Sequence, residues 1–177
     1  PCPSGTSSVA GASSASACQP CAAGSYAIHP GSPACSPCPP ATYQPEPGMT
    51  SCLACTRGGY CLEGSAAPQI CPDGTVGSRN GLQKATECDA CPGGFWCNSG
   101  QKFPCAVGYF TASNAPSRDR QSLDACLPCP SDSKTHHRNS TTIQACLCDK
   151  EYFLNGNTSN ATCSPCPTGM SCDDLGT

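Results

Sequence analysis

The chain has 177 residues, nine basic and twelve acidic, with a net charge of −3 and a pI near 5.4, which excludes the basic footprint of a nucleic-acid or membrane-surface binder. Leu, Ile, Val and Phe together number 18, about a tenth of the chain, against the ~20% below which a single packed core is not expected. Twenty cysteines stand in their place, so covalent bridges are expected to carry the fold in an oxidising, extracellular compartment.

From the N-terminus the cysteines fall on a beat. Six pairs have the form Cys-x-x-Cys: Cys18/Cys21, Cys35/Cys38, Cys52/Cys55, Cys88/Cys91, Cys126/Cys129 and Cys163/Cys166. The spacing predicts small modules in tandem, the first cysteine of each pair closing one module and the second opening the next. Single-loop modules are expected at 1–20, 21–37 and 38–54, with bridges Cys2–Cys18, Cys21–Cys35 and Cys38–Cys52. Larger modules follow at 55–90 and 91–128, where Cys61 and Cys97 are extra cysteines soon after the openers Cys55 and Cys91. Two more single-loop modules are expected at 129–147 and 148–165, with bridges Cys129–Cys146 and Cys148–Cys163. The stretch 166–177 then opens like the larger modules, with Cys166 and Cys172.

A glycine recurs three residues after a cysteine that opens a loop, at Gly5, Gly24, Gly58, Gly74, Gly94, Gly108 and Gly169. An aromatic lies four or five residues after it, and these two slots take nine of the ten aromatics in the chain, leaving Phe103 outside. The glycine allows a turn at positive φ just past the bridge. The ring is expected to lie on the disulfide as the module's small core. No apolar period of 3.6 residues is sustained anywhere, so the predicted fold is short β-hairpins and loops with almost no helix. With so little shared apolar material the modules are expected to form an elongated rod.

Cys-Pro-x-Gly-x-Tyr, a loop and then Cys-x-x-Cys-Pro resembles the ephrin-receptor-like cysteine-rich repeat, which is similar in layout to the cysteine-rich domains of tumour necrosis factor receptors. Cys91-Pro-Gly-Gly-Phe-Trp-Cys97 followed by Pro104-Cys105 resembles the longer variant found in large surface and flagellar proteins of protists and algae. The departures are Ala41, Asp132 and Glu151 where glycine is usual, and Cys146-Leu-Cys148, which is one residue short. For the larger modules the tumour necrosis factor receptor resemblance implies interlocked bridges, Cys55–Cys71 with Cys61–Cys88 and Cys91–Cys105 with Cys97–Cys126. On the same basis Cys166 and Cys172 are expected to have no partner within the chain, their closing cysteines lying beyond Thr177.

Other chemistries fit less well. Zinc ribbons also use paired Cys-x-x-Cys, but here the pairs recur six times in a chain poor in Lys and His. Cys35-Ser-Pro-Cys38 and Cys163-Ser-Pro-Cys166 lack the helical scaffold of a thioredoxin-type site. His29, His136 and His137 belong to no catalytic or metal pattern, and Asp119, Asp173 and Asp174 build no calcium loop. The short clusters Ser117–Arg120 and Lys134–Arg138 read as solvated loops. No enzyme activity and no cofactor are expected.

Sequons at Asn139, Asn157 and Asn160 point to N-glycans and a secretory route, and no stretch approaches the ~20 apolar residues of a membrane span. Both ends lie inside the repeat pattern, so the chain reads as a piece of a longer secreted protein. The expected role is structural: a spacer or filament subunit whose flank meets copies of itself or another extracellular protein. The resemblance implies a flagellar hair (mastigoneme) or cell-surface coat. The alternative is a receptor ectodomain binding a protein ligand along its flank, for which Phe103 and Leu127 are poor anchors.

Overall fold

A computed structural model of the protein describes residues 1–8, 14–112, 115–155, 162–169 and 172. Among them there is no α-helix, only five three-residue 3-10 turns, and the strands form nine two-stranded sheets. The chain divides into two compact units. The first comprises Pro1–Pro72, Val76–Asp89 and Ser99–Gln101. The second comprises Asp73–Thr75, Ala90–Asn98 and Lys102–Thr177.

Each sheet is the same local event. An opening cysteine, with Cys71 and Cys105 counted as openers because each starts a bridged loop of its own, is followed by a turn, a strand of two to four residues, a loop, and a returning strand that ends at or just before the next opener. In the first unit Ser25–Tyr26 pairs with Ser36–Pro37, Thr42–Tyr43 with Leu53–Ala54, and Gly59–Tyr60 with Gln69–Ile70. In the second, Tyr109–Phe110 pairs with Leu127–Pro128, and Tyr152–Asn155 with Thr162–Pro165. All these pairs are antiparallel, and the residue five after the opener faces the residue two before the next one, as in Tyr26 with Ser36 and Phe110 with Leu127.

The turn takes positive φ whether or not glycine fills it. Gly5 and Gly24 lie at φ 80° and 83°, and Ala41, Asp132 and Glu151 adopt the same conformation at 72°, 61° and 78°. The departures from the motif therefore carry backbone strain of ~1 to 2 kcal/mol rather than a different turn. The short Cys146-Leu-Cys148 link is absorbed in the returning strand Cys146–Cys148. Its register against Ser133–Thr135 is slipped by one, with Ser133 facing Cys148 itself.

Ten bridges tie up all twenty cysteines. The structure contains Cys2–Cys18, Cys21–Cys35, Cys38–Cys52, Cys129–Cys146 and Cys148–Cys163. The interlocked pairings Cys55–Cys71 with Cys61–Cys88, and Cys91–Cys105 with Cys97–Cys126, are not formed. In their place stand Cys55–Cys61, Cys71–Cys88, Cys91–Cys97 and Cys105–Cys126. Cys166 and Cys172 are not unpaired either, for they bond to each other.

The physical reason is local. Most openers are closed by a cysteine three residues before the next opener. Where that position holds Pro68 or Lys102, no sulfur is available, and the cysteine six residues after the opener supplies it. Both partners lie within reach: Cα–Cα is 5.8 Å for Cys55–Cys61 and 5.9 Å for Cys38–Cys52.

Burial is also placed differently from the expectation of a ring on a bridge. Of the nine slot aromatics only Phe110 is buried, while Tyr26, Tyr43, Tyr60 and Trp96 stay half-buried. The enclosed position is the next one, six after the opener, filled by Ala27, Gln44, Cys61 and Gly77 in the first unit and by Cys97, Thr111 and Thr135 in the second. Successive side chains of an extended strand point to opposite sides, so residue five faces outward when residue six is enclosed. The core of each unit is thus a row of cystines and of these mostly small residues.

Candidate functional site

The feature with functional content is the joint between modules. In the first unit three backbone hydrogen bonds recur at each step. The amide three after an opener donates to the carbonyl six after the next opener: Gly5 to Ala27 at 2.8 Å, Gly24 to Gln44 at 2.7 Å, Ala41 to Cys61 and Gly58 to Gly77 at 2.9 Å. The amide at that sixth position then donates onward to a loop carbonyl, Ala27 to Met49 and Gln44 to Ser65 at 3.1 Å, and Cys61 to Leu82 at 2.9 Å. The loop residue just before that carbonyl donates back to an opener: Gly48 to Cys21, Gly64 to Cys38 and Gly81 to Cys55, each at 2.8 Å.

Because donors and acceptors are main chain, the joint is indifferent to most side chains. Its strict demand is closeness. A Cβ on Gly5 would lie 2.0 Å from the Gly48 carbonyl oxygen, two modules further on. The same approach occurs in the second unit, where a Cβ on Gly94 would lie 2.2 Å from the Asn139 oxygen.

The second unit uses the same plan with side-chain substitutes. The Gly94 and Gly108 amides donate to the hydroxyls of Thr111 and Thr135, at 2.7 Å and 2.9 Å, instead of to a carbonyl. Both threonines are fully buried, and their hydroxyls satisfy the buried Gly94 amide and the half-buried Gly108 amide. Arg120 makes a second substitution. Its carbonyl accepts from the Cys97 amide at 2.7 Å, as a loop carbonyl should. The preceding Asp119 amide, however, is turned inward to Pro116. The buried guanidinium takes over its role, Nη1 donating to the Cys91 carbonyl at 2.6 Å and Nη2 to that of Ala115.

The outer face carries the aromatic slots. Trp96 stacks on Phe103, centroids 4.5 Å apart and 23° from coplanar, and the Lys102 ammonium lies 5.0 Å from the Phe95 ring centre. These residues sit on Phe95–Asn98 and Gln101–Pro104, joined by Ser99 and Gly100 at φ 51° and 72°, the positive pair that a tight two-residue hairpin turn requires. Phe103, the aromatic outside the slots, is therefore the cross-strand partner of a slot residue. Leu127 holds the same place opposite Phe110, and both Phe103 and Leu127 are exposed.

Asn139 is exposed at φ 66° and occupies the loop position that Gly48, Gly64 and Gly81 hold elsewhere, its amide bonded to the Cys105 carbonyl. Asn157, Asn160, Asp173 and Asp174 lie outside the described residues. His29, His136 and His137 are exposed. Among the described residues no group of three or more His, Cys, Asp or Glu is placed to hold a metal ion, and no helix is long and apolar enough to cross a membrane. The charged clusters make exposed pairs, Arg118 with Asp119 at 3.8 Å and Lys134 with Asp149 at 3.5 Å.

Charge is unevenly distributed. Pro1–Pro45 contains no Asp, Glu, Lys or Arg, and all 21 charged residues lie from Glu46 onward.

Tandem disulfide modules built on small hairpins and joined through the main chain define a cysteine-rich repeat protein. No protein-family model matches the chain. Over 114 residues, 61% of this chain, it is 30% identical to Cysteine repeat modular protein A of Toxoplasma gondii, and the match spans 4% of that protein's length. The disulfide density and this likeness together fit an extracellular or surface structural role.

Proposed function

We propose that the chain is a non-enzymatic spacer or assembly segment of an extracellular coat, matrix or flagellar appendage, an elongated row of ephrin-receptor-like modules that works through its flank. The observation that carries this reading is the main-chain joint: Gly24 to Gln44, Gln44 to Ser65 and Gly64 to Cys38 repeat with different side chains at each step. A joint of that kind lets modules be added in series while loops and outer faces vary, as in other repeat proteins. N-glycans on the sequons, Asn139 among them, would keep the unpaired faces soluble. Small-angle scattering of the oxidised chain tests the shape. A compact 177-residue globule has a radius of gyration of about 16 Å. The proposal expects a value well above that, and a value at it sinks the spacer reading.

A second reading, a ligand-binding ectodomain, is favoured by one observation. The Trp96–Phe103 stack, with Trp96 half-buried and Phe103 exposed, is the kind of aromatic anchor that dominates protein recognition.

A further inference from the structure

We infer that the described residues of Pro1–Pro45 form a self-association surface, and that what covers them is the same stretch of a second copy of this chain. The inference rests on the assembly reading above and gives it a place.

Three observations point there. The first is charge. At the chain's own share of 12% charged residues, 45 residues would carry about five, and this stretch carries none. Surfaces of soluble proteins hold roughly 25–35% charged residues, interspersed, because hydrated charges keep like molecules apart. Here many of the exposed residues are small or apolar instead, Ala22, Ala23, Pro30, Pro33, Ala34 and Pro37, beside uncharged polar ones such as Gln19 and Ser36 and the single imidazole of His29.

The second is an apolar side chain with nothing over it. Ile28 is 56% exposed. It follows Ala27, which is buried and whose amide bonds the carbonyl of Met49, itself 41% exposed. A backbone joint therefore holds two exposed apolar residues near one another at the edge of the uncharged region.

The third is size. A standard interface draws on roughly 20–30 residues a side, and 40 residues of this stretch are described, 1–8 and 14–45.

These observations favour a second copy over a different partner. In a two-fold contact a surface meets itself, and any charge on it opposes its own like. An uncharged surface escapes that repulsion, whereas the rest of the chain carries the whole net charge of −3. A charged partner, in turn, would find nothing here to steer or orient it.

The test is sedimentation velocity of the oxidised chain over a concentration series, with Ile28→Asp and, as control, Ile70→Asp. Ile70 is more exposed, at 64%, but lies in the charged part of the chain. The expected result is association that survives a change from low to high salt, weakened at least tenfold by Ile28→Asp and unchanged by Ile70→Asp. Disulfide mapping of each variant confirms that the bridges are native. Salt-sensitive association, or equal weakening by both variants, overturns this surface while leaving self-assembly standing. A chain that stays monomeric at every concentration overturns the surface and removes the case for self-assembly. Association seen only when a second protein is added, with hydrogen-exchange protection at Pro1–Pro45, overturns the choice of occupant.

Discussion

Replacing Arg120 by methionine isolates the second unit's unusual joint. The guanidinium donates to the Cys91 and Ala115 carbonyls, and hydrogen bonds from a charged donor contribute ~1.5 to 3 kcal/mol each. Against that stand the desolvation of a buried cation and its Nε, which has no hydrogen-bond partner and costs ~1 to 3 kcal/mol. Methionine keeps most of the packing and removes both sides of the balance, so the net loss should be about 2 kcal/mol. The loss should be local, because Arg120 also presents its carbonyl to the Cys97 amide. Native-state hydrogen exchange with all bridges intact reads this directly. The Cys97 amide should exchange about 30-fold faster, the equivalent of about 2 kcal/mol, while the Cys61 amide, bonded to Leu82 in the first unit, keeps its rate. Arg120→Lys restores the charge but not the two-pronged geometry, and should fall between the two. If Arg120→Met leaves the Cys97 amide as protected as before, the guanidinium is a bystander. If the Cys61 amide loosens equally, the effect is global and the joint is not the cause.

Two other outcomes follow from the same geometry. Gly24→Ala combines φ 83° with a Cβ 2.2 Å from the Gly64 oxygen, whereas Gly108→Ala has φ 86° and nothing within 4 Å. Urea midpoints should therefore show about 1 to 2 kcal/mol lost at Gly108 and clearly more at Gly24, and equal losses would show that the close approach does not matter. Non-reducing peptide mapping should find Cys55 joined to Cys61. Removing that bridge, of sequence separation 6, by paired Ser substitutions should cost ~2.2 kcal/mol, against ~3.3 kcal/mol for Cys105–Cys126, of separation 21.

What is legible in the chain is whatever depends on one residue type. Glycine at Gly5 or Gly24 announces positive φ, and the alternation of short polar stretches with Cys-x-x-Cys announces hairpins without helices. The sixth position after each opener cannot be read this way, because Ala27, Gln44, Cys61, Gly77 and Thr111 share no chemistry. They share burial, which neighbouring modules impose through main-chain bonds and the close passage of glycines two modules apart. The bridge error has the same root. Cys61 and Cys97 occupy that sixth position, and only the receptor-like resemblance makes them members of an interlocked pair. A signal for the true pairing is present in the chain: Pro68 and Lys102 stand where a closing cysteine would be, which leaves the opener one possible local partner. Arg120 lies in a short charged run that reads as solvated, and its neighbours Arg118 and Asp119 are indeed exposed. What distinguishes it is the contact of its guanidinium with the Cys91 carbonyl, 29 residues away in the chain, and that is a tertiary fact.

A single bridge does not explain a module. Closing roughly 15 residues is worth about 3 kcal/mol, while ordering the backbone costs ~1 to 2 kcal/mol for every residue. One bridge thus offsets the ordering of only two or three residues, and the module around Cys21 has no large side chain among its buried residues to supply the rest. The remainder has to come from the neighbours, through amides such as Gly24 and Ala27 whose partners lie in other modules. Stability is then a property of consecutive modules, and a change in one loop is tolerated as long as its carbonyl and its donor still meet the joint. The loop between Cys105 and Cys126 shows how far that tolerance extends. It spans 21 residues where the Cys21–Cys35 loop spans 14, and it still delivers one carbonyl to Cys97 and one donor to Cys91, both from Arg120. Variation is therefore confined to the outer surface, where partners would be recognised, while the main chain holds each unit together.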